Sequence, residues 1–280
     1  MGAFLALMSS VCWGSGDFIG GTFSRRIHPL AVLQTSQGFA VLGLLVIAIA
    51  TRSFGDSGYL GWGVAGGLVG LGSLGCFYRA LAEGTMGVVA PVAAMGVVVP
   101  VGIGLAHGDS PHVVQLVGIV VAIVGVVLAS GPEPAHGRGR EVRPLVLSAI
   151  AAVGFGATLV LVADGAKHSV IMTLLTMRIT NVVVGTAVLA TAARSAARPD
   201  RRDLPALAAS GTLDAGANGM FAVATHTGAL SLTSVFASLY PAVTVLLAWR
   251  FHHEKLRRVQ VVGVVTVLVG VACIAGGGST

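Results

Sequence analysis

A chain of 280 residues that is 55% hydrophobic and only 10% charged is not an ordinary soluble domain, in which charged residues make up about a quarter. A mean hydropathy of +0.89 points the same way, to lipid as the solvent. The net charge of +6 does not indicate nucleic acid, because the bases sit in loops beside apolar segments and form no basic face of a folded domain.

Met1 is followed at once by apolar sequence without a basic lead, so no cleaved signal peptide is expected. Taking about 20 residues for each crossing, ten helical spans are expected near 2–21, 30–50, 59–81, 86–106, 112–130, 144–163, 170–192, 204–226, 229–249 and 258–276. A strand barrel is disfavoured, since its segments would alternate over about ten residues and these are continuously apolar. Cys12, Cys76 and Cys273 all fall inside spans and read as small apolar side chains with no disulfide framework.

The chain repeats itself. HGDSPHVVQLVGIVVAIVGVVLA at 107–129 and HHEKLRRVQVVGVVTVLVGVACI at 252–274 superpose without a gap at an offset of 145 residues. Upstream the similarity continues, with Phe77 opposite Phe221, Gly84 opposite Gly228, and Trp13-Gly14 opposite Phe155-Gly156. The polar stretch GPEPAHGRGREVRP divides the chain into a first five-helix repeat (1–130), a cytoplasmic linker (131–143) and a second five-helix repeat (144–280). Five is odd, so the second half enters the membrane from the opposite side. The expected fold is therefore an all-α membrane protein with ten transmembrane helices as two inverted five-helix repeats.

Orientation follows from the bases. Arg25, Arg26, Arg138, Arg140, Arg143, Arg194, Arg198, Arg201, Arg202, Arg250, Lys255, Arg257 and Arg258 all lie at connections after spans 1, 5, 7 and 9, against only Arg52 and Lys167 on the other side. That bias puts the linker in the cytoplasm and both termini outside. The seven-residue pairs Gly118/Gly125 and Gly263/Gly270 each lie on one helix face, so spans 5 and 10 should pack tightly, on each other or on a second protomer in a homodimer. Gly63, Gly66, Gly67 and Gly70 in span 3 are spaced for close helix packing as well. Pro91, Pro100 and Pro241 should kink or locally open helices 4 and 9.

Ionisable groups within a span are costly, so each is a candidate for function. They are Asp17, Arg79, Glu83, Arg178 and Asp214, with Asn218 and His226 as polar companions. Arg79 and Glu83, four apart, either pair with each other or reach a substrate. If they pair, Arg178 can satisfy only one of Asp17 and Asp214. The remaining acid is then costly as an anion, and a proton would relieve that cost; this is the basis for expecting proton coupling, with Asp17 the first choice. The other reading of Asp17 is a structural hydrogen bond to a neighbouring helix. Trp13, Tyr78 and Tyr240 either line the site or merely pack. No metal site is expected, because His107, His112 and Asp109 emerge on the face opposite His252, His253 and Glu254. Catalytic residues and cofactors are likewise not expected: no nucleophile motif or phosphate-binding loop is present.

The ten spans, the two halves, and the element Phe221…Gly228…Ser238-Leu239-Tyr240-Pro241…Glu254…Gln260…Gly263…Gly270 resemble the EamA-like drug/metabolite transporters. Trp13-Gly14 is similar to that family's Trp-Gly signature. Two departures stand out. Val97 occupies the place aligned with Pro241, and the resemblance implies cytoplasmic termini where the basic bias implies external ones. The resemblance implies a multi-pass protein of the cell membrane that moves a small metabolite or drug-like molecule by alternating access, in the direction of export. The alternatives are an importer of sugar-like nutrients and a non-transporting membrane scaffold or intramembrane enzyme. The expected partners are a small-molecule substrate and the lipid bilayer. The expected substrate-binding or coupling set is Asp17, Trp13, Tyr78, Arg79, Arg178, Asp214, Asn218 and Tyr240.

Overall fold

The computed structural model describes residues 2–55, 57–99, 103, 113–129, 142–192, 198–227, 239–254 and 256–276, and among these every regular element is helical. Ten α-helices follow in chain order: α1 (Gly2–Ser24), α2 (Pro29–Ala50), α3 (Tyr59–Glu83), α4 (Met86–Ala94), α5 (Val113–Ala129), α6 (Arg143–Ala166), α7 (Val170–Ala192), α8 (Leu204–Thr227), α9 (Tyr240–His252) and α10 (Arg258–Gly276). Each overlaps one expected span, though α4 covers only the start of 86–106 and α9 only the latter part of 229–249. Four of them, α2, α3, α6 and α7, are long and apolar enough to cross a membrane by length and composition, and α5 and α10 hold shorter apolar stretches. Most of the expected linker lies outside the described residues, as do Pro100, His107, Asp109 and His112.

The distribution of side chains is that of a protein solvated by lipid. Val46, Ile49, Val120, Val153, Val183, Val262 and Val265 are exposed on the outer faces. Gln34, Gln37, Arg178, Asn181 and Thr244 are buried inside. In water this arrangement would leave apolar surface uncovered and desolvate polar groups for no gain. In a bilayer it is the low-energy arrangement.

Packing between helices treats the two halves alike. The α1–α8 contact has its counterpart in α6–α3, α2–α8 in α7–α3, and α1–α9 in α6–α4, while α5–α10, α2–α7 and α4–α9 pair each element with its own equivalent. Single residues repeat the pattern. Trp13 meets Phe221 at 5.8 Å between α1 and α8, and Phe155 meets Phe77 at 5.5 Å between α6 and α3. Gly14 and Gly156 also do equivalent work. A Cβ on Gly14 would run into Tyr240 O and Val243 of α9, and one on Gly156 into Gly96 O and Val99 beyond α4.

The glycine pairs of α5 and α10 face each other within one chain. A Cβ at Gly118 would lie 2.8 Å from Gly270 O, and one at Gly125 would lie 2.5 Å from Val267 N. On α3, Gly63 and Gly67 accept Thr176 and Thr180 of α7 in the same manner. Pro91 lies inside α4, where it removes the bond to the Gly87 carbonyl, and the helix gives way after Ala94 to a 3-10 turn at Met95–Val97. Pro241 instead stands in the first turn of α9, where proline is tolerated.

One end of the bundle is held by ion pairs. Arg25 bonds Glu254 at 2.6 Å, and the other oxygen of Glu254 accepts the Gly87 N–H at 3.2 Å at the start of α4. Arg26 bonds Asp203 at 2.5 Å before α8, and Thr22 is 2.8 Å from His252 Nε2. These contacts place the ends of α1 and α9 beside the starts of α4 and α8. This is the basic end. At the opposite end Gly58, before α3, packs on His168 between α6 and α7.

Candidate functional site

The site grows from the α1–α8 interface and the helices that flank it. Small and hydroxyl residues let α1 and α8 approach: Ser9 donates to Ala217 O at 2.8 Å, and Ser210 donates to Gly16 O at 3.0 Å. Both bonds satisfy hydroxyls that lipid or a dry core would strand. They also set the register of the two helices, which leaves Asp17 on α1 within electrostatic reach of Asp214 on α8.

Arg178 of α7 reaches this interface from the far side. Its guanidinium lies 2.7 Å from Asp214 Oδ2 and donates to Gln37 Oε1 of α2 at 2.8 Å. The Arg178 side chain is 6% exposed and that of Asp214 is 26%, so the pair is largely desolvated. Asn218, one turn along α8, donates to the Asp214 main-chain carbonyl at 2.7 Å. Arg178 is thereby committed to Asp214. Among the described residues no base pairs with Asp17, which is half-buried and interacts electrostatically with the Asp214 carboxylate. Two acids and one base leave one acid without a basic partner at this interface.

Aromatic rings lie near Asp17. Trp13 lies one turn before Asp17 on the same helix and meets Tyr240 of α9 edge-on at 6.3 Å. Tyr78 of α3 approaches from the basic end: its hydroxyl is packed against Gly20, one turn after Asp17, where a Cβ would collide with it. Tyr78 is buried near Ser210. Both tyrosines lie within electrostatic reach of Asp17.

Seven of the eight expected residues thus come together: Trp13, Asp17, Tyr78, Arg178, Asp214, Asn218 and Tyr240. Arg79 does not join them. It sits in the last turns of α3 on the basic end, bonded to Glu83, which Arg143 also approaches at 3.4 Å. With its side chain 42% exposed, Arg79 belongs to the ion pairs of that end. His252, likewise at the basic end, faces Thr22, and no three metal-ligating side chains gather among the described residues.

Gln37, Gln34, Asn181 and Ser210 escaped the sequence reading. Gln37 orients Arg178. Asn181, on α7 one turn from Arg178, is fully buried with neither side-chain polar atom hydrogen-bonded, and Gln34 Nε2 and Arg178 Nε are in the same condition. The signal was available: Gln34 and Gln37 are uncharged amides in an otherwise apolar span, and polarity alone marks them there.

A helical membrane protein made of two equivalent halves, with an ion pair and an unpaired acid where they meet, follows the plan of many secondary transporters. The chain belongs to the EamA-like transporter family, whose model matches residues 1–131 and again residues 143–276. The chain is therefore a multi-pass membrane protein of a family that moves small molecules. A solved crystal structure has the same fold, with a TM-score of 0.65 at 13% identity over 97% of this chain and 95% of that one. No curated protein matches the sequence.

Proposed function

We propose that this protein is a secondary transporter of the cell membrane that moves a small metabolite or drug-like solute by alternating access, in the direction of export. The carrying observation is the uncompensated Asp17 carboxylate, half-buried beside the Arg178–Asp214 pair at the junction of the two halves. A scaffold gains nothing from such a charge, whereas a carrier needs a group whose occupancy decides which way it faces.

The ten helices cross the bilayer as two inverted five-helix units, a topology supported by the exchange of equivalent contacts between halves. The basic end lies in the cytoplasm, in keeping with the bias of arginine and lysine. Asp17, faced by Asp214, Arg178, Tyr78 and Tyr240, is neutralised in turn by a proton and by the solute, which couples the two fluxes. In the described conformation the basic end is the closed one. Gly20 and Gly21 of α1 are packed on Tyr78 and Leu81 of α3 there, and the ion pairs lie beyond them. Among the described residues the equivalent α6–α8 contact is not made to any comparable extent.

The test is uptake of a mixed pool of small metabolites into proteoliposomes, analysed by mass spectrometry, with wild type against Asp17→Asn. At least one solute should redistribute with wild type and fail to do so with the variant. Redistribution that is the same for both, or absent for both, would remove the proposal.

A further inference from the structure

Resting on that reading, we infer that the solute carries a positively charged amine or ammonium group on an apolar or aromatic body, seated between Asp17 and the rings of Trp13 and Tyr240. Three observations converge on this chemistry. The first is the charge balance. Arg178 is used by Asp214 and Gln37, so the group that meets Asp17 must itself be positive to cancel the remaining charge. An anion would add to the negative charge, and a neutral solute would leave the carboxylate to be neutralised by a proton alone.

The second is the wall. Trp13 and Tyr240 stand edge to face at 6.3 Å, and Phe221 lies 5.8 Å from Trp13 on the other side. Trp13, one turn before Asp17 on α1, and Tyr240, within electrostatic reach of it, therefore stand beside the carboxylate. Ring faces attract a cation placed within about 6 Å of the centroid, and do so more strongly where water is excluded. A ring face offers no oxygen ligand to an alkali ion, so this wall in itself favours an organic cation over sodium.

The third is access. Trp13, Asp17, Asn218 and Tyr240 are all only partly buried although they lie at the centre of the bundle, whereas Tyr78, on the side of the basic end, is buried. A cation arriving from the opposite end meets the rings and the carboxylate before it meets the Tyr78 plug.

The test is equilibrium binding to the full-length protein in lipid nanodiscs, with benzyltrimethylammonium as the probe and its uncharged carbon isostere, neopentylbenzene, as the comparison. The ammonium should bind at least tenfold more tightly than the isostere. Asp17→Asn should lower its affinity at least tenfold, Asp17→Glu should retain most of it, and Trp13→Leu should lower it several-fold. Retention of affinity by Asp17→Glu guards against misfolding as the cause of the loss in Asp17→Asn. Equal binding of the two probes, an affinity unmoved by Asp17→Asn, or displacement of the ammonium by millimolar sodium would overturn the inference. If metabolites redistribute through Asp17 in the proteoliposomes while the isostere binds as well as the ammonium, the cation seat falls and transport stands. If the ammonium binds as described and nothing is transported, the transport reading falls and the seat stands.

Discussion

Neutralising the two members of the central ion pair should have unequal costs. The pair is 2.7 Å apart at its contact atoms, with Arg178 almost wholly and Asp214 three-quarters withdrawn from solvent. Charges about 4 Å apart at an effective dielectric of about 20 attract by about 4 kcal/mol, and removing one partner of a buried pair costs about 3–5 kcal/mol in general. Asp17 breaks the symmetry between the partners. Arg178→Gln leaves two interacting carboxylates and a net charge of −2, with Gln37 losing its donor. Asp214→Asn leaves Arg178 facing Asp17 and a net charge of zero. Arg178→Gln should therefore lie toward the upper end of that range and Asp214→Asn at or below its lower end. The double variant, which restores the net charge to −1, should be less destabilised than Arg178→Gln alone. Denaturant unfolding in detergent micelles, followed by tryptophan fluorescence, reads all three. Equal losses for the two single variants, or a larger loss for Asp214→Asn, would show that Asp17 is not the neighbour that sets the balance.

Three further outcomes follow from the packing and the ends of the bundle. Gly125→Leu places atoms where Val267 N would lie 2.5 Å from the new Cβ, so α5 and α10 must part. Such overpacking costs about 1–3 kcal/mol in unfolding, whereas Gly43→Leu, with nothing within 4 Å of its Cβ, should leave stability unchanged. Glu254→Gln removes the Arg25 bond at the basic end, a partly exposed pair worth about 1 kcal/mol. Maleimide labelling of a cysteine at the buried Ser24 should speed up about fivefold in that background. The Arg26 bond and the Asp200 N–H hold the Asp203 carboxyl below the usual carboxylate range. Its contribution to stability should thus be fully present above about pH 4, the ordinary aspartate value, and fade only as the pH falls through its lower folded one. Melting curves of Asp203→Asn and wild type should differ at pH 6 and converge below pH 4; a gap that is constant with pH would refute the assignment.

Helix positions were legible because twenty-residue apolar runs separated by polar turns leave few alternatives in lipid. The repeat was legible because close packing demands glycine: Gly14, Gly118, Gly125, Gly156 and Gly270 stand where backbones touch, and no other residue fits. The charged members of the site stood out for the opposite reason, since Asp17, Arg178 and Asp214 are expensive where they are. The expense did not say which side each one faced. Arg79 was equally conspicuous in sequence, and only the length of α3 shows that it reaches the basic end and Glu83. Pairing between helices was not legible either. Gln37 sits 141 positions from Arg178, and a neutral amide among apolar residues gives no sign of the partner it orients.

Alternating access requires a central site that opens to each side in turn. Its most direct test is a single cysteine at Asn218, one turn from Asp214, in a background with Cys12, Cys76 and Cys273 replaced by alanine. Labelling with a membrane-impermeant maleimide is followed in sealed vesicles of both orientations. The account predicts modification from both faces, with the rate from one face falling as solute or pH shifts the other way. Modification from one face only, under every condition, would contradict it.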